Sequence, residues 1–435
     1  MSTEAALAAA QARDAADALR DYRGQFALPR DERGEPLVYL CGHSLGLLPL
    51  GAREIVNAEL DDWARLGVLG HEQARRPWVP YHENLTAGLA ALTGAETGEV
   101  VAMNSLTVNL HLMLASFYRP SARRSRILIE AGAFSSDRHA VASQIVWHGL
   151  DPGSALIELA PRAGEDTVSE EAIEACLAEH GGEIALVLWP GVQFRTGQAF
   201  DLARIVRAAH AQGCIAGFDL AHSIGNVPLA LHAAEADFAV WCSYKYLNGG
   251  PGAIGGCFVH QRHIEAQPRA RHGGSLPGAR LAGWWGHEES TRFAMQPAFQ
   301  AARGVAAWQI SNPPILAAAP LIASLALFTA AGMERLRAKS VALTDFLDSL
   351  IRPLAPAVHI LTPTESERRG CQLSIRIAAG AARGKRVFDA LSARGVVCDW
   401  RSPDIIRVAP VPLYNRFEDA RRFAHALAES LRENP

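Results

Sequence analysis

Cysteine is scarce in this chain: seven residues in 435, at positions 41, 176, 214, 242, 257, 371 and 398. No two form a CxxC pair and their number is odd. The pattern offers neither a thiolate zinc site nor a disulfide framework, and a reducing cytoplasm is the expected location. Charge of one sign is lacking too. Lys and Arg total 42 against 45 Asp and Glu, a formal net charge of −3, which removes the electrostatic case for nucleic acid or an anionic membrane as partner. The first 23 residues are rich in Ala but interrupted by Glu4, Arg13, Asp14, Asp17 and Arg20. That reads as a surface helix, not a signal peptide or a membrane span. Internal repeats and low-complexity linkers are absent. What remains is an ordinary globular composition, 49% hydrophobic and 20% charged, long enough for a large core in about two domains.

From about Arg53 to His260, helical patterns alternate with short apolar runs: Arg126 to Glu130, Ile184 to Leu188, Cys214 to Phe218 and Phe238 to Cys242. This alternation predicts an α/β fold, a mainly parallel sheet with helices on both faces and ligands at the carboxyl ends of its strands. The texture changes near Ser311-Asn312-Pro313-Pro314. Helical stretches from Ile315 to Phe328 and Met333 to Leu350 lead to a smaller α/β section with strands at Gln372 to Ile377 and Ile405 to Val408. The expected division is a large domain over 51–315 and a small domain over 316–435, completed by residues 1–50.

The most informative stretch is Trp241-Cys242-Ser243-Tyr244-Lys245-Tyr246-Leu247-Asn248-Gly249-Gly250. A buried strand ends, a lysine follows, and a Gly-rich loop lets backbone approach a ligand closely. Lys245 is thereby held on a rigid edge, placed to attack a carbonyl. Upstream, the run Cys214 to Phe218 ends on Asp219. An aldehyde cofactor with a pyridine ring needs this pair, the lysine for covalent attachment and the carboxylate to keep the ring nitrogen protonated. The pair points to pyridoxal 5'-phosphate. Taken singly, each residue is equally an ordinary strand end or loop cap.

Other motifs are less specific. Gly42-His43-Ser44-Leu45-Gly46 fits the G-x-S-x-G nucleophile elbow, but few strands precede it to supply an oxyanion loop. The preferred reading is a loop running close to a ligand that Ser44 touches. Ser105 and Thr107 are natural caps for the apolar helix from Leu110 to Tyr118, whose N-terminus would also suit a phosphate. Phe134-Ser135-Ser136-Asp137 follows a strand and a small-residue turn; the aromatic can stack on a flat ring and Asp137 can hold a group near it. His222 can orient Asp219 or the ring. Arg407 can grip a substrate carboxylate through its fork.

With these motifs assembled, the chain resembles the kynureninase family from about Tyr39 to Phe417. The matches are the 42–46 loop, Gly70-His71-Glu72 with Arg76-Pro77-Trp78, Asn104 to Leu112, Phe134 to Asp137 and Thr196-Gly197-Gln198. They continue through Phe218 to His222, Ser243 to Asn248, Gly283 to Glu288, Ile310 to Ile315 and Arg407 to Tyr414. The resemblance implies the aspartate-aminotransferase-like fold (pyridoxal phosphate fold type I) and hydrolysis of L-kynurenine or its 3-hydroxy form to an anthranilate and L-alanine. It implies that Lys245 carries the cofactor, that Asp219 pairs with the ring nitrogen beside His222, and that Leu106, Thr107 and Tyr244 meet the phosphate. Tyr244 is also the implied proton donor. Phe134 would stack on the ring, with Ser135, Ser136 and Asp137 near it. Trp284 would reach the phosphate from the neighbouring subunit of a homodimer with shared sites, and Arg407 would hold the α-carboxylate. His71 and Asn312 would line the aryl pocket, Asn312 also near the cofactor. Three departures stand out: His43 where Asn is common, Pro190 where a small hydroxyl residue is common, and an apparent insertion over 269–280. A cysteine desulfurase- or aminotransferase-like enzyme, or a serine hydrolase using Ser44, are the competing readings.

Overall fold

The computed structural model describes residues 3–265 and 280–434. Seven strands build the main sheet: β1 Val100–Ala102, β2 Arg126–Glu130, β3 Leu156–Leu159, β4 Ile184–Pro190, β5 Ile215–Asp219, β6 Phe238–Trp241 and β7 Gly256–Val259. Their order is β1-β7-β6-β5-β4-β2-β3. Strands β3, β2, β4, β5 and β6 are parallel, whereas β7 runs antiparallel to both β6 and β1. The apolar runs are continuous because both faces are covered. Along β4, Val187 and Trp189 enter one core while Leu186 and Leu188 enter the other, the period of two that a pleated strand imposes. All five parallel strands end on one edge, and Glu130, Pro190 and Asp219 stand at that edge.

A second sheet is antiparallel throughout. Its strands are β8 Val358–Ile360, β9 Leu373–Ile377, β10 Asp399–Arg401 and β11 Ile405–Val408, in the order β8-β9-β11-β10. The N-terminal part of the chain packs here. Val38–Tyr39 pairs in parallel with Val396–Val397, and Ala10 shares a core with Phe417, Phe423 and Leu427. Six of the helices are α1 Thr3–Ala16, α2 Leu106–Phe117, α3 Ser135–Trp147, α4 Ile315–Ala331, α5 Met333–Ile351 and α6 Phe417–Glu433. No single helix among the described residues is long and apolar enough to cross a membrane.

Two local expectations are corrected. The first helix stops at Ala16, well before Arg23, because Asp17 turns inward: it accepts from the Leu19 amide (2.8 Å) and pairs with Lys339 (2.7 Å). It is otherwise the expected surface helix, with only Ala6 and Ala10 buried on its inner side. Helix α2 begins at Leu106, four residues before the expected start, and Thr107 lies inside it. The 269–280 stretch falls outside the described residues except for Arg280.

Candidate active site

A cleft opens at the carboxyl edge of the main sheet. Leu106 and Thr107 line it from the start of α2, and Phe134, Ser136 and Asp137 from the start of α3. Trp189 to Pro190 and Val192 to Phe194 contribute from the end of β4, Asp219 and His222 from the end of β5, and Tyr244 and Lys245 from the turn after β6. Five separate segments, each following a strand of the main sheet, therefore deliver the chemistry to one place, as open α/β sheets do.

Lys245 is half-buried. Its Nζ lies 5.8 Å from the centre of the Phe134 ring and 5.9 Å from that of Tyr244. Its loop is fixed by backbone: the Asn248 amide donates to the Lys245 carbonyl (3.0 Å), the Gly249 amide to Ser243 (2.8 Å) and the Gly46 amide to Tyr244 (2.8 Å). A Cβ on Gly46 would fall 2.3 Å from both the Lys245 carbonyl oxygen and Asn248 Oδ1. The 42–46 loop thus serves to pack on the lysine turn. Ser44 does not line the cleft; its amide closes a turn on Cys41 (2.9 Å), and no strand-to-helix elbow presents its hydroxyl.

Asp219 is buried at the end of β5 and accepts from the Ala221 amide (2.7 Å). Asp137 is buried against it, and burial, reinforced by the charge of Asp219, pushes the Asp137 carboxyl well above the usual range. Burial, with Lys245 and Arg407 nearby, holds the His222 imidazole far below its ordinary value, so it is neutral. His222 Nδ1 and Asp137 Oδ1 are buried without a hydrogen-bond partner. Burial, then Cys242, raises the Tyr244 phenol, which stays protonated. Pro190 sits opposite Asp219 in the β4–β5 register, and the amide of the next residue, Gly191, donates to the Asp219 carbonyl (2.9 Å).

The start of α2 is open. Ser105 makes no side-chain cap, and the first amides of a helix have no internal acceptor. The Thr107 hydroxyl instead meets Ser136 Oγ at 2.8 Å. This brings α2 and α3 together at the cleft. Ser135 is exposed and outside it.

Besides Ser44 and Ser135, four expected site residues are not in the cleft. Arg407 is completely buried on β11. Its guanidinium pairs with Asp399, its register partner on β10, and donates to the Phe194 carbonyl at 2.6 Å. Its Nε has no acceptor. Phe194, which lines the cleft, contacts Arg407 directly. His71, Trp284 and Asn312 instead line a separate cavity of about 510 Å³ with Val68, Leu69 and Phe293. Asp399, Phe194 and Glu130 were not anticipated. The turn Ser402-Pro403-Asp404 between two short apolar runs was the available signal for the β10–β11 hairpin that seats Asp399 beside Arg407.

A sequence model of the kynureninase C-terminal domain matches residues 336–427. A kynureninase of Xanthomonas euvesicatoria pv. vesicatoria is 57% identical over 415 residues, covering 95% of this chain and 96% of the relative. One from Xanthomonas campestris pv. campestris is 56% identical over 411 residues, covering 94% of each. Among solved structures, a mutant of the lyase C-DES with glycine covalently linked to its PLP cofactor superposes with a TM-score of 0.75 at 19% identity, covering 91% of this chain and 96% of that one. The cysteine desulfurase CsdA from Escherichia coli gives 0.73 at 17% identity, covering 96% and 99%. The fold is therefore that of these enzymes, and the chain belongs to the kynureninase family.

Proposed function

We propose that this protein is a pyridoxal-phosphate-dependent hydrolase that splits the Cβ–Cγ bond of L-kynurenine or 3-hydroxy-L-kynurenine, giving an anthranilate and L-alanine. The observation that carries the reading is the convergence of Lys245, Asp219, Asp137 and the open start of α2 on one cleft, in a chain 57% identical to a kynureninase over 95% of its length. The cofactor fits. Two buried polar atoms, His222 Nδ1 and Asp137 Oδ1, lack partners in the protein alone, a buried carboxyl pair awaits a cationic N–H, and uncapped helix amides await an anion.

When bound, pyridoxal phosphate supplies an aldehyde for attachment and a protonated ring that withdraws electrons from the substrate α-carbon. Lys245 would hold it and would take the substrate α-proton. Asp219 would face the ring nitrogen and favour its protonated form, with the raised Asp137 carboxyl beside it. The amides at Leu106 and Thr107, with Tyr244, hold the phosphate. Tyr244, kept protonated by burial, returns a proton as the carbon–carbon bond breaks. Arg407 receives the α-carboxylate once its pairing with Asp399 and Phe194 is loosened.

Trp284 and Phe293 are 46% and 59% exposed, and Val68 and Leu69 are 76% and 53% exposed. An apolar surface of this kind around the second cavity suits burial against a second copy. In that homodimer Trp284, His71 and Asn312 complete the partner's site, with His71 and Asn312 hydrogen-bonding a ring hydroxyl on the substrate. We further infer a cytoplasmic enzyme of tryptophan breakdown or NAD biosynthesis, working as a large domain over 51–315 and a small one over 316–435 that residues 1–50 complete. The test is turnover of kynurenine and 3-hydroxykynurenine by the cofactor-loaded protein. Equimolar alanine and anthranilate are expected from at least one of them; no cleavage of either would overturn the reading.

A further inference from the structure

A second polar cavity, of about 350 Å³, lies at the opposite edge of the main sheet. Ala185 and Ile215, near the starts of β4 and β5, line it, as does Phe117 at the end of α2. The twelve residues of α2 separate it from the Lys245 cleft by about 18 Å at 1.5 Å per residue. Its described lining includes Arg119, Arg124, Arg280 and His263 and no carboxylate.

The three arginines differ. Arg124 spends its donors on the carbonyls of Gly181, Ile184 and Gln212, and Arg119 gives one to Ala115. Apart from the bond to Ile184 on β4, these bonds cap helix ends. His263 is occupied by Asp237 at 2.6 Å. Arg280 is only 7% exposed, and its Nε and one terminal nitrogen are buried with no acceptor. Its guanidinium lies 4.7 Å from the centre of the Trp308 ring, which is itself fixed by a hydrogen bond to Ser116 Oγ at 3.0 Å. An uncompensated buried charge is costly. No counter-ion is available nearby in the sequence, since residues 266–287 contain neither Asp nor Glu.

We propose that this cavity is an oxyanion site distinct from the active site, taking a phosphate group, free or as the head of a small aromatic phosphomonoester, on Arg280 with Arg119 at its mouth. Guanidinium forks match phosphate oxygens, and Trp308 with Phe117 offers aromatic surface beside them.

The test uses the cofactor-loaded protein, so that the phosphate position in the Lys245 cleft is already filled. Inorganic phosphate and, separately, phenyl phosphate are titrated by calorimetry at ionic strength held constant with chloride. Saturable binding at one site per chain is expected, about tenfold or more weaker in Arg280→Gln and severalfold weaker in Arg119→Gln. Binding of inorganic phosphate identifies the free ion, and binding of phenyl phosphate alone identifies an ester; either supports the site. A wild type that binds neither probe, or an Arg280→Gln protein that binds as tightly as wild type, overturns it. If Arg280→Gln does not fold, the wild type decides. Phosphate must slow phenylglyoxal modification of Arg280, read by peptide mass, and equal modification with and without phosphate overturns the site.

Discussion

At the scale of single residues, the candidate site rests on side chains whose surroundings fix their protonation. Lys245→Ala should lose the attachment point. Borohydride should fix the cofactor to the wild type and not to the variant, and turnover should fall by at least about 10²–10⁴-fold, the usual worth of positioned proton transfer; a variant still labelled by borohydride would assign the attachment elsewhere. Glu130 offers a cleaner electrostatic test. It is buried at the end of β2, accepts from Gln193 Nε2 at 3.0 Å, and burial pushes its carboxyl up from 4.5 to about 8. A carboxyl raised in the folded state binds a proton there that the unfolded chain has lost. Its contribution is present below about 4.5 and drains away as pH rises towards 8. Glu130→Gln, which mimics the neutral form, should therefore gain on wild type across that window, by up to about 1.4 kcal/mol per pH unit. Parallel denaturation curves with pH would refute this. The lysine and both aspartates were legible in the sequence because each follows or ends a strand or opens a helix. The partner of Arg407 was not, because Asp399 meets it only through cross-strand register.

At the scale of elements, the parallel strands announce themselves, since burial on both faces writes Ile184–Pro190 as an unbroken apolar run. Short strands such as Asp399–Arg401, half-buried throughout, carry no such signal. Helix α2 was foreseen four residues late because Leu106-Thr107-Val108-Asn109 reads as cap and turn, whereas Asn109 is buried and bonded to the Met103 carbonyl (2.8 Å). Two loops from distant parts of the chain, 42–46 and 243–249, are locked together at Gly46. Gly46→Ala places a methyl group against backbone and should lower stability by about 1–3 kcal/mol. Because the displaced atoms include the Lys245 carbonyl, cofactor retention after dialysis should fall as well. Unchanged retention and melting would show that the contact relaxes freely.

At the scale of the whole molecule, His71, Trp284 and Asn312 stand apart from Lys245 within one chain, and sequence resemblance could assign their roles without saying where one subunit puts them. If they complete a neighbour's site, Trp284→Ala and Lys245→Ala should complement each other. Mixing and reassociating the two impaired proteins should produce activity above the sum of the separate samples, because one site of each hybrid is intact; simple additivity would mean that each subunit works alone. One further consequence follows from β7, the strand that runs against its neighbours. Gly255 just before it receives the Met103 amide (3.0 Å) and donates to Asn104 (2.7 Å), while β6, on its other side, leads directly into the Lys245 turn. The start of α2 and the Lys245 turn are therefore cut into a single stiff bracket. Their spacing is a property of the backbone ladder, set before any vitamin arrives, and lengthening the reach between them would require re-registering a strand, not swapping a side chain.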